Sequence, residues 1–253
     1  MKKLLSIMLA SILVIGMLGA CSKKEGNNKV LIMGTSADYK PYEYIETQKS
    51  EDVIGFDVDI AKYIGKELGY EIKIKDMDFS GLLTAMEAGK VDFVMAGMTP
   101  TEKRQKNADF TDIYYTAKNL IVSKDGSLQT LEDLKGKTVG VQTGSIQEGK
   151  AKELQENVTF DIQGRDKLPQ LVQEIQAGRF DAAIIEDTVA KAYLDKFKDL
   201  KSIEIPEASD EAGSAIAFPK GSKYTDEFNK VIKKMQENGE MEKLIKKWFG
   251  GEQ

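Results

Sequence analysis

The sequence predicts an α/β protein of two similar lobes with a ligand cleft between them. Three observations carry that expectation. Short apolar runs suited to buried strands alternate with segments of helical apolar spacing along most of the 253 residues. A chain of that length holds one large domain or two medium ones. A helix–glycine–strand unit also occurs twice: Leu82, Leu83, Met86, Ala88, Gly89, Lys90 and Asp92 answer to Leu171, Val172, Ile175, Ala177, Gly178, Arg179 and Asp181.

The first unit spans Met77 to Arg104. Leu82, Leu83, Ala85, Met86 and Ala88 recur at helical spacing, and Gly89 suits the left-handed residue that ends a helix. Val91 to Met95 is an apolar run fit for a buried strand. It runs out through Gly97-Met98-Thr99-Pro100, and Thr101-Glu102-Lys103-Arg104 opens another helix. Free N–H groups at a helix start favour anions, and an arginine one turn inside adds a bidentate carboxylate donor. In the second unit Glu186 takes the place of Gly97, at the end of the strand Ala182 to Ile185. Open α/β sheets bind ligands at the carboxyl ends of their strands. One unit thus offers donors for an anion and the other a carboxylate for a cation, as a zwitterion requires.

Composition narrows the function. The chain has no histidine, which removes histidine catalysis and histidine metal ligands. Its single cysteine, Cys21, excludes an intramolecular disulfide. The formal net charge of −5 is not that of a nucleic-acid binder. No catalytic residues, metal or cofactor are expected.

Met1-Lys2-Lys3 followed by apolar Leu4 to Leu18 has the layout of an export signal, and its core is short for a membrane span. Leu18-Gly19-Ala20-Cys21 resembles the bacterial lipobox, which implies cleavage after residue 20 and lipid on the Cys21 sulfur. Residues 21–28 form a polar tether. A strand is expected over Lys29 to Gly34, leading to a loop with Ser36, Asp38 and Tyr39. Tyr42 and Tyr44 are expected to cover the core edge. Asp57 reads as an N-terminal cap or dipole partner of the helix ending at Leu68, and Tyr70 to Lys75 as the next strand.

Further on, strands are expected at Asn119 to Ser123, Thr138 to Val141 and Thr159 to Gln163, with short helices at Ser127–Gly136 and Ala151–Gln155. Gln142-Thr143-Gly144-Ser145-Ile146-Gln147 presents a second strand–turn–helix anion corner. It lacks the glycine and lysine spacing of a phosphate loop. A helix over Val189 to Phe197, a strand over Ser214 to Phe218 and one long amphipathic helix over Tyr224 to Trp248 complete the reading. The elements divide into lobe one, residues 29–117 with 213–253, and lobe two, residues 118–212.

Several motifs now resemble the bacterial solute-binding proteins of polar amino-acid ABC importers. They are Gly55-Phe56-Asp57-Val58-Asp59-Ile60, Met77-Asp78-Phe79, Gly97 through Arg104, Asp109-Phe110-Thr111, Ala215 through Gly221, and Lys247-Trp248-Phe249. The resemblance covers about residues 29 to 249. Gly34 through Pro41, Gly140 through Gln147 and Ala182 through Asp187 are similar in particular to the arginine-binding lipoproteins of Bacillus-type Gram-positive bacteria. The resemblance implies a type II periplasmic-binding-protein-like fold that closes on its ligand about two crossover strands. It implies that Arg104 clamps the ligand α-carboxylate, helped by the N–H groups of Thr99 and Ile146. Glu186, the Gly97 carbonyl and the Thr99 hydroxyl would take the α-ammonium, and Tyr39 and Phe79 would sandwich the side chain. Ser36, Met98, Gln142 and Gln147 belong to the same site. Permease and ATPase subunits are the implied partners of a monomer held by lipid on the extracellular face of the cell membrane.

Two departures bear on the ligand. The ammonium position is often aspartate in this family, and Glu186 is one methylene longer. Several basic amino-acid binders carry aspartate where this chain has Ser36. The guanidinium partner stays open among Asp38, Glu43, Asp78, Gln142 and Gln147, with arginine as the expected ligand and glutamine as the alternative. A dehydratase on the same fold is a rival reading, weakened by a cleft without histidine or cysteine. A sensor domain is another, weakened because no signalling domain or second membrane segment follows.

Overall fold

The structure is a computed structural model that describes residues 29–46, 50–205 and 212–250. The expected signal segment, Cys21 and the tether lie outside the described residues.

The chain opens with β1 (Lys29–Thr35) and a small antiparallel sheet of β2 (Asp38–Tyr39), β3 (Glu43–Ile45) and β4 (Val53–Ile54). Helix α1 (Phe56–Leu68) and β5 (Tyr70–Asp76) follow. A 3-10 turn over Phe79–Gly81 runs into α2 (Leu82–Glu87), then β6 (Phe93–Val94), α3 (Glu102–Gln105) and β7 (Ala108–Phe110). Strand β8 (Tyr115–Ala117) leads to β9 (Asn119–Lys124), a 3-10 turn over Leu131–Leu134, β10 (Thr138–Gln142), α4 (Ile146–Gln155) and β11 (Asp161–Arg165). Next come α5 (Leu168–Gln176), β12 (Ala182–Glu186), α6 (Asp187–Lys196) and β13 (Leu200–Glu204). Strand β14 (Ala212–Ser214) returns, and β15 (Ala217–Pro219), α7 (Tyr224–Glu237) and α8 (Glu240–Phe249) close the chain.

Two five-stranded sheets form the lobe centres, ordered β5-β1-β6-β15-β7 and β11-β10-β12-β9-β13. Their shared logic is the repeat seen in the sequence. In each, a central strand pairs in parallel with two neighbours, β1 with β5 and β6, and β10 with β11 and β12. An antiparallel strand then follows, β15 beside β6 and β9 beside β12. The two chain crossings pair with each other, Ala117 opposite Ala212 and Tyr115 opposite Ser214.

Apolar spacing explains how the helices seat. In α1, Ile60, Ala61 and Ile64 are wholly buried, and each isoleucine contributes roughly 1.5–3 kcal/mol by leaving water. Its entry is set by Gly55 at φ 144°, where a Cβ would lie 2.0 Å from the Tyr42 carbonyl oxygen. Gly55→Ala is expected to lower the unfolding free energy by about 2 kcal/mol, from left-handed strain and overpacking. Urea titration reads this directly; an unchanged midpoint and slope would remove Gly55 from the account.

Several boundaries differ from the sequence reading for identifiable reasons. The run Val91–Met95 gives only Phe93–Val94 as strand, though Asp92 and Met95 N–H groups still donate to Ile32 and Gly34. The strand expected at Thr159 starts at Asp161, in register with Thr138. The run Ser214–Phe218 splits into β14 and β15, because Ala215 and Ile216 donate instead to the Met98 carbonyl and the Thr111 hydroxyl. The single long helix is two: Asn238 ends α7, and Gly239 sits at φ 79° while the Asn238 side chain accepts from the Glu240 N–H. The helices expected from Ala151 and Val189 begin earlier, at Ile146 and Asp187, and the Ser127–Gly136 helix shrinks to its 3-10 turn.

Candidate ligand cleft between the lobes

Strand ends from both sheets converge on one narrow cleft. Ser36, Tyr39, Phe79, Gly97, Thr99, Arg104, Gln142, Ile146, Gln147 and Glu186, all singled out in the sequence, line it. Met98 does not. Its side chain is 1% exposed and packs with Leu82, Met86 and Val91 in the core below.

Arg104 is held by its short helix. The Thr101 hydroxyl caps α3 by accepting from the Arg104 N–H at 3.3 Å. The guanidinium donates from one nitrogen to the Thr99 carbonyl at 2.7 Å and from the other to the Gly144 carbonyl at 3.0 Å. Phe79 lies under it, 5.3 Å from ring centre to the guanidinium carbon. The Gly144 contact crosses from one lobe to the other. A Cβ at Gly144 would stand 3.2 Å from the Ser80 backbone, so glycine permits this approach. Burial lowers the Arg104 pKa to about 10, which leaves it cationic at neutral pH. Among the described residues, no carboxylate pairs with it.

Acids crowd the opposite wall. Glu186 ends β12 fully buried, and three hydroxyls donate to it: Thr188 at 2.5 Å, Tyr42 at 2.6 Å and Tyr39 at 3.3 Å. Burial nevertheless raises its pKa to about 7. Asp57 is not the helix cap expected from sequence. It turns inward, accepting from the Gly97 N–H at 2.9 Å and the Tyr114 hydroxyl at 2.8 Å. That ties the start of α1 to the cleft corner and to the residue before the β8 crossing. Burial lifts its pKa to about 6.

Glu43 is the residue the sequence reading left unranked. It is wholly buried and lines the cleft, and its carboxyl group meets that of Asp57, to which it donates a proton, while among the described residues no N–H, hydroxyl or cation reaches it. Burial first, and then the charge of Asp57, push its pKa well above the usual carboxylate range. The other candidates are engaged or remote. Asp38 accepts from the Ser36 hydroxyl and the Leu168 N–H, and Asp78 is half-exposed and paired with Lys167. Gln142 donates to the Asp166 carbonyl and Gln147 to the Asn119 side chain.

The cleft therefore sets one guanidinium against three buried carboxyl groups. Buried acids packed against one another favour ionisation only when a cation reaches them. Such a cavity suits a ligand with one carboxylate and more than one positive or donor group.

Two sheets of matching order, a paired double crossing and a polar cleft at the strand ends define a two-lobed solute-binding protein of the type II fold. The family model for "Bacterial extracellular solute-binding proteins, family 3" matches residues 31–251, and the chain belongs to that family. It is 54% identical, over the full length of both chains, to the "Arginine-binding extracellular protein ArtP" of Bacillus subtilis (strain 168). Two solved structures of an ancestral arginine-binding protein superpose closely. The form bound to arginine gives a TM-score of 0.82 and the form bound to glutamine 0.80, each 37% identical and covering 88% of this chain and 99% of the other. The family is one of solute-binding proteins, not of enzymes.

Proposed function

We propose that this chain captures L-arginine between its lobes and delivers it to the permease and ATPase subunits of an ABC importer. Lipid on Cys21 would hold it, as a monomer, at the extracellular face of the membrane. The lobes would divide at residues 29–117 with 213–253 and 118–212, and rotate about β8 and β14. Arg104 takes the ligand α-carboxylate, with the N–H groups of Thr99 and Ile146. Glu186, the Gly97 carbonyl and the Thr99 hydroxyl take the α-ammonium. Tyr39 and Phe79 flank the side chain. Binding energy is used to favour the closed arrangement.

One observation carries arginine over other amino acids: the Glu43 carboxyl group, buried in the cleft wall against a second acid, Asp57, rather than against a cation. A guanidinium supplies the donors and charge it lacks. The full-length relative and the arginine-bound structural neighbour support the same choice. Glutamine is the second reading, favoured by the amides of Gln142 and Gln147 on the same wall.

Protons distinguish the two. Burial raises the pKa of Glu43 well above its ordinary value and that of Glu186 to about 7, so the ligand-free cleft binds more protons than the same carboxyl groups in water. A ligand with two cationic groups lowers both pKa values, so arginine binding at pH 7 is expected to release protons and to strengthen as pH rises from 6 to 8. Calorimetry in buffers of different ionisation enthalpy measures the release. Equal proton release by arginine and glutamine would remove Glu43 as the guanidinium partner.

A further inference from the structure

Tyr42 reads from sequence as a cover for the core, and its ring does that work. It is 0% exposed and contacts Tyr39, Phe56, Tyr115 and Phe249 at centroid distances of 5.5, 6.1, 5.9 and 5.2 Å. Core packing alone would be met by phenylalanine. The hydroxyl goes elsewhere, donating at 2.6 Å to Glu186 on the other lobe. Tyr39, also from the first lobe, donates to the second oxygen of the same carboxyl group at 3.3 Å. Only Thr188 approaches it from Glu186's own lobe. An aspartate here would end one methylene before Glu186 does.

The geometry points to Tyr42 as a positioning residue: its hydroxyl latches Glu186 to the first lobe, so that one carboxyl group both orients for the ligand ammonium and holds the lobes together. This rests on the reading that Glu186 receives the ammonium. The latch itself needs no ligand, because donors and acceptor all belong to the protein. Its anchor is rigid, since the Tyr42 ring packs against both the β8 crossing at Tyr115 and the C-terminal Phe249. A hydrogen bond to a charged acceptor in a buried site supports an effect of about tenfold on an equilibrium it biases.

The test compares wild type, Tyr42→Phe, Thr188→Val and Glu186→Ala. Spin labels at Glu87→Cys and Lys152→Cys face each other across the cleft mouth. They are placed in the full chain, purified in detergent, with Cys21→Ser leaving them as the only thiols. Without ligand, Tyr42→Phe and Glu186→Ala are each expected to lower the short-distance population severalfold relative to wild type. Thr188→Val, whose hydroxyl donates to Glu186 and also meets the Tyr42 hydroxyl, should lower that population less than Tyr42→Phe does. Arginine is then titrated into each protein, Glu186→Ala included. Tyr42→Phe should raise Kd about tenfold and move the acidic midpoint of binding upward, because Glu186 loses a donor to its charged form while Glu43 and Asp187 still oppose ionisation. Wild-type distances and an unmoved midpoint in Tyr42→Phe would make the residue plain core and overturn the latch. Wild-type affinity in Glu186→Ala would instead overturn the ammonium role; the ligand-free distances would still decide the latch.

Discussion

Replacing Arg104 by alanine is expected to raise Kd for the amino acid at least thirtyfold. The guanidinium is the one cation among the described residues of the cleft wall, and in place of a carboxylate it now holds two carbonyls, of Thr99 and Gly144. A carboxylate arriving between them exchanges neutral acceptors for a charged one in a buried setting. Truncating one partner of such a charge-assisted contact costs roughly 2–5 kcal/mol. Arg104→Lys keeps the charge but loses the planar fork, and should recover only part of the loss. Calorimetric titration checks both variants, with near-UV circular dichroism to establish that the lobes stay folded. Wild-type affinity in Arg104→Ala would place the carboxylate elsewhere.

The second large effect belongs to Glu43. Glu43→Gln is expected to weaken arginine by roughly 2–5 kcal/mol, since a desolvated guanidinium loses its charged partner. Glutamine affinity should change little, so the ratio of the two dissociation constants is the clearest readout. Stability carries a second signature. Burial raises the folded-state pKa of Glu43 above its unfolded value, so the folded state binds more protons. The ligand-free protein therefore loses stability as pH rises above the unfolded carboxylate value, and Glu43→Gln should flatten that decline. Urea titrations at pH 5 and pH 8 measure it. An equal pH dependence in the variant would assign the decline to Glu186 and Asp57.

How far the sequence carried this account depended on what kind of information each residue needed. The strand-end corners were legible because the Leu82 and Leu171 units share spacing, and topology then dictates that both ends meet at a cleft. Arg104 followed from the Thr101 cap and the helix turn after it. Of the buried acids, Glu186 was legible from its strand end, whereas Asp57 and Glu43 were not placed. Asp57 looks like any acid in a first helical turn, and only tertiary structure turns it toward Gly97 and Tyr114. Glu43 sits in a three-residue strand, too short for alternation to say which face is inward. Tyr42 was assigned by its ring and missed by its hydroxyl, whose partner lies far along the chain. The break at Gly239 was hidden because Met235 and Met241 keep an apolar face on both sides of it.

The central claim is that a cleft with one clamp arginine and a buried Glu43–Asp57 acid pair selects arginine. It is tested most directly by titrating the protein, freed of bound ligand by unfolding and refolding, with arginine, lysine, histidine, glutamine and glutamate in turn. The account predicts tight arginine binding, with glutamine at least tenfold weaker and glutamate weakest, since its carboxylate would face Glu43. Glutamine ahead of arginine would contradict the role given to Glu43 while leaving the importer reading in place. No binding of any of the five would contradict the amino-acid cleft itself.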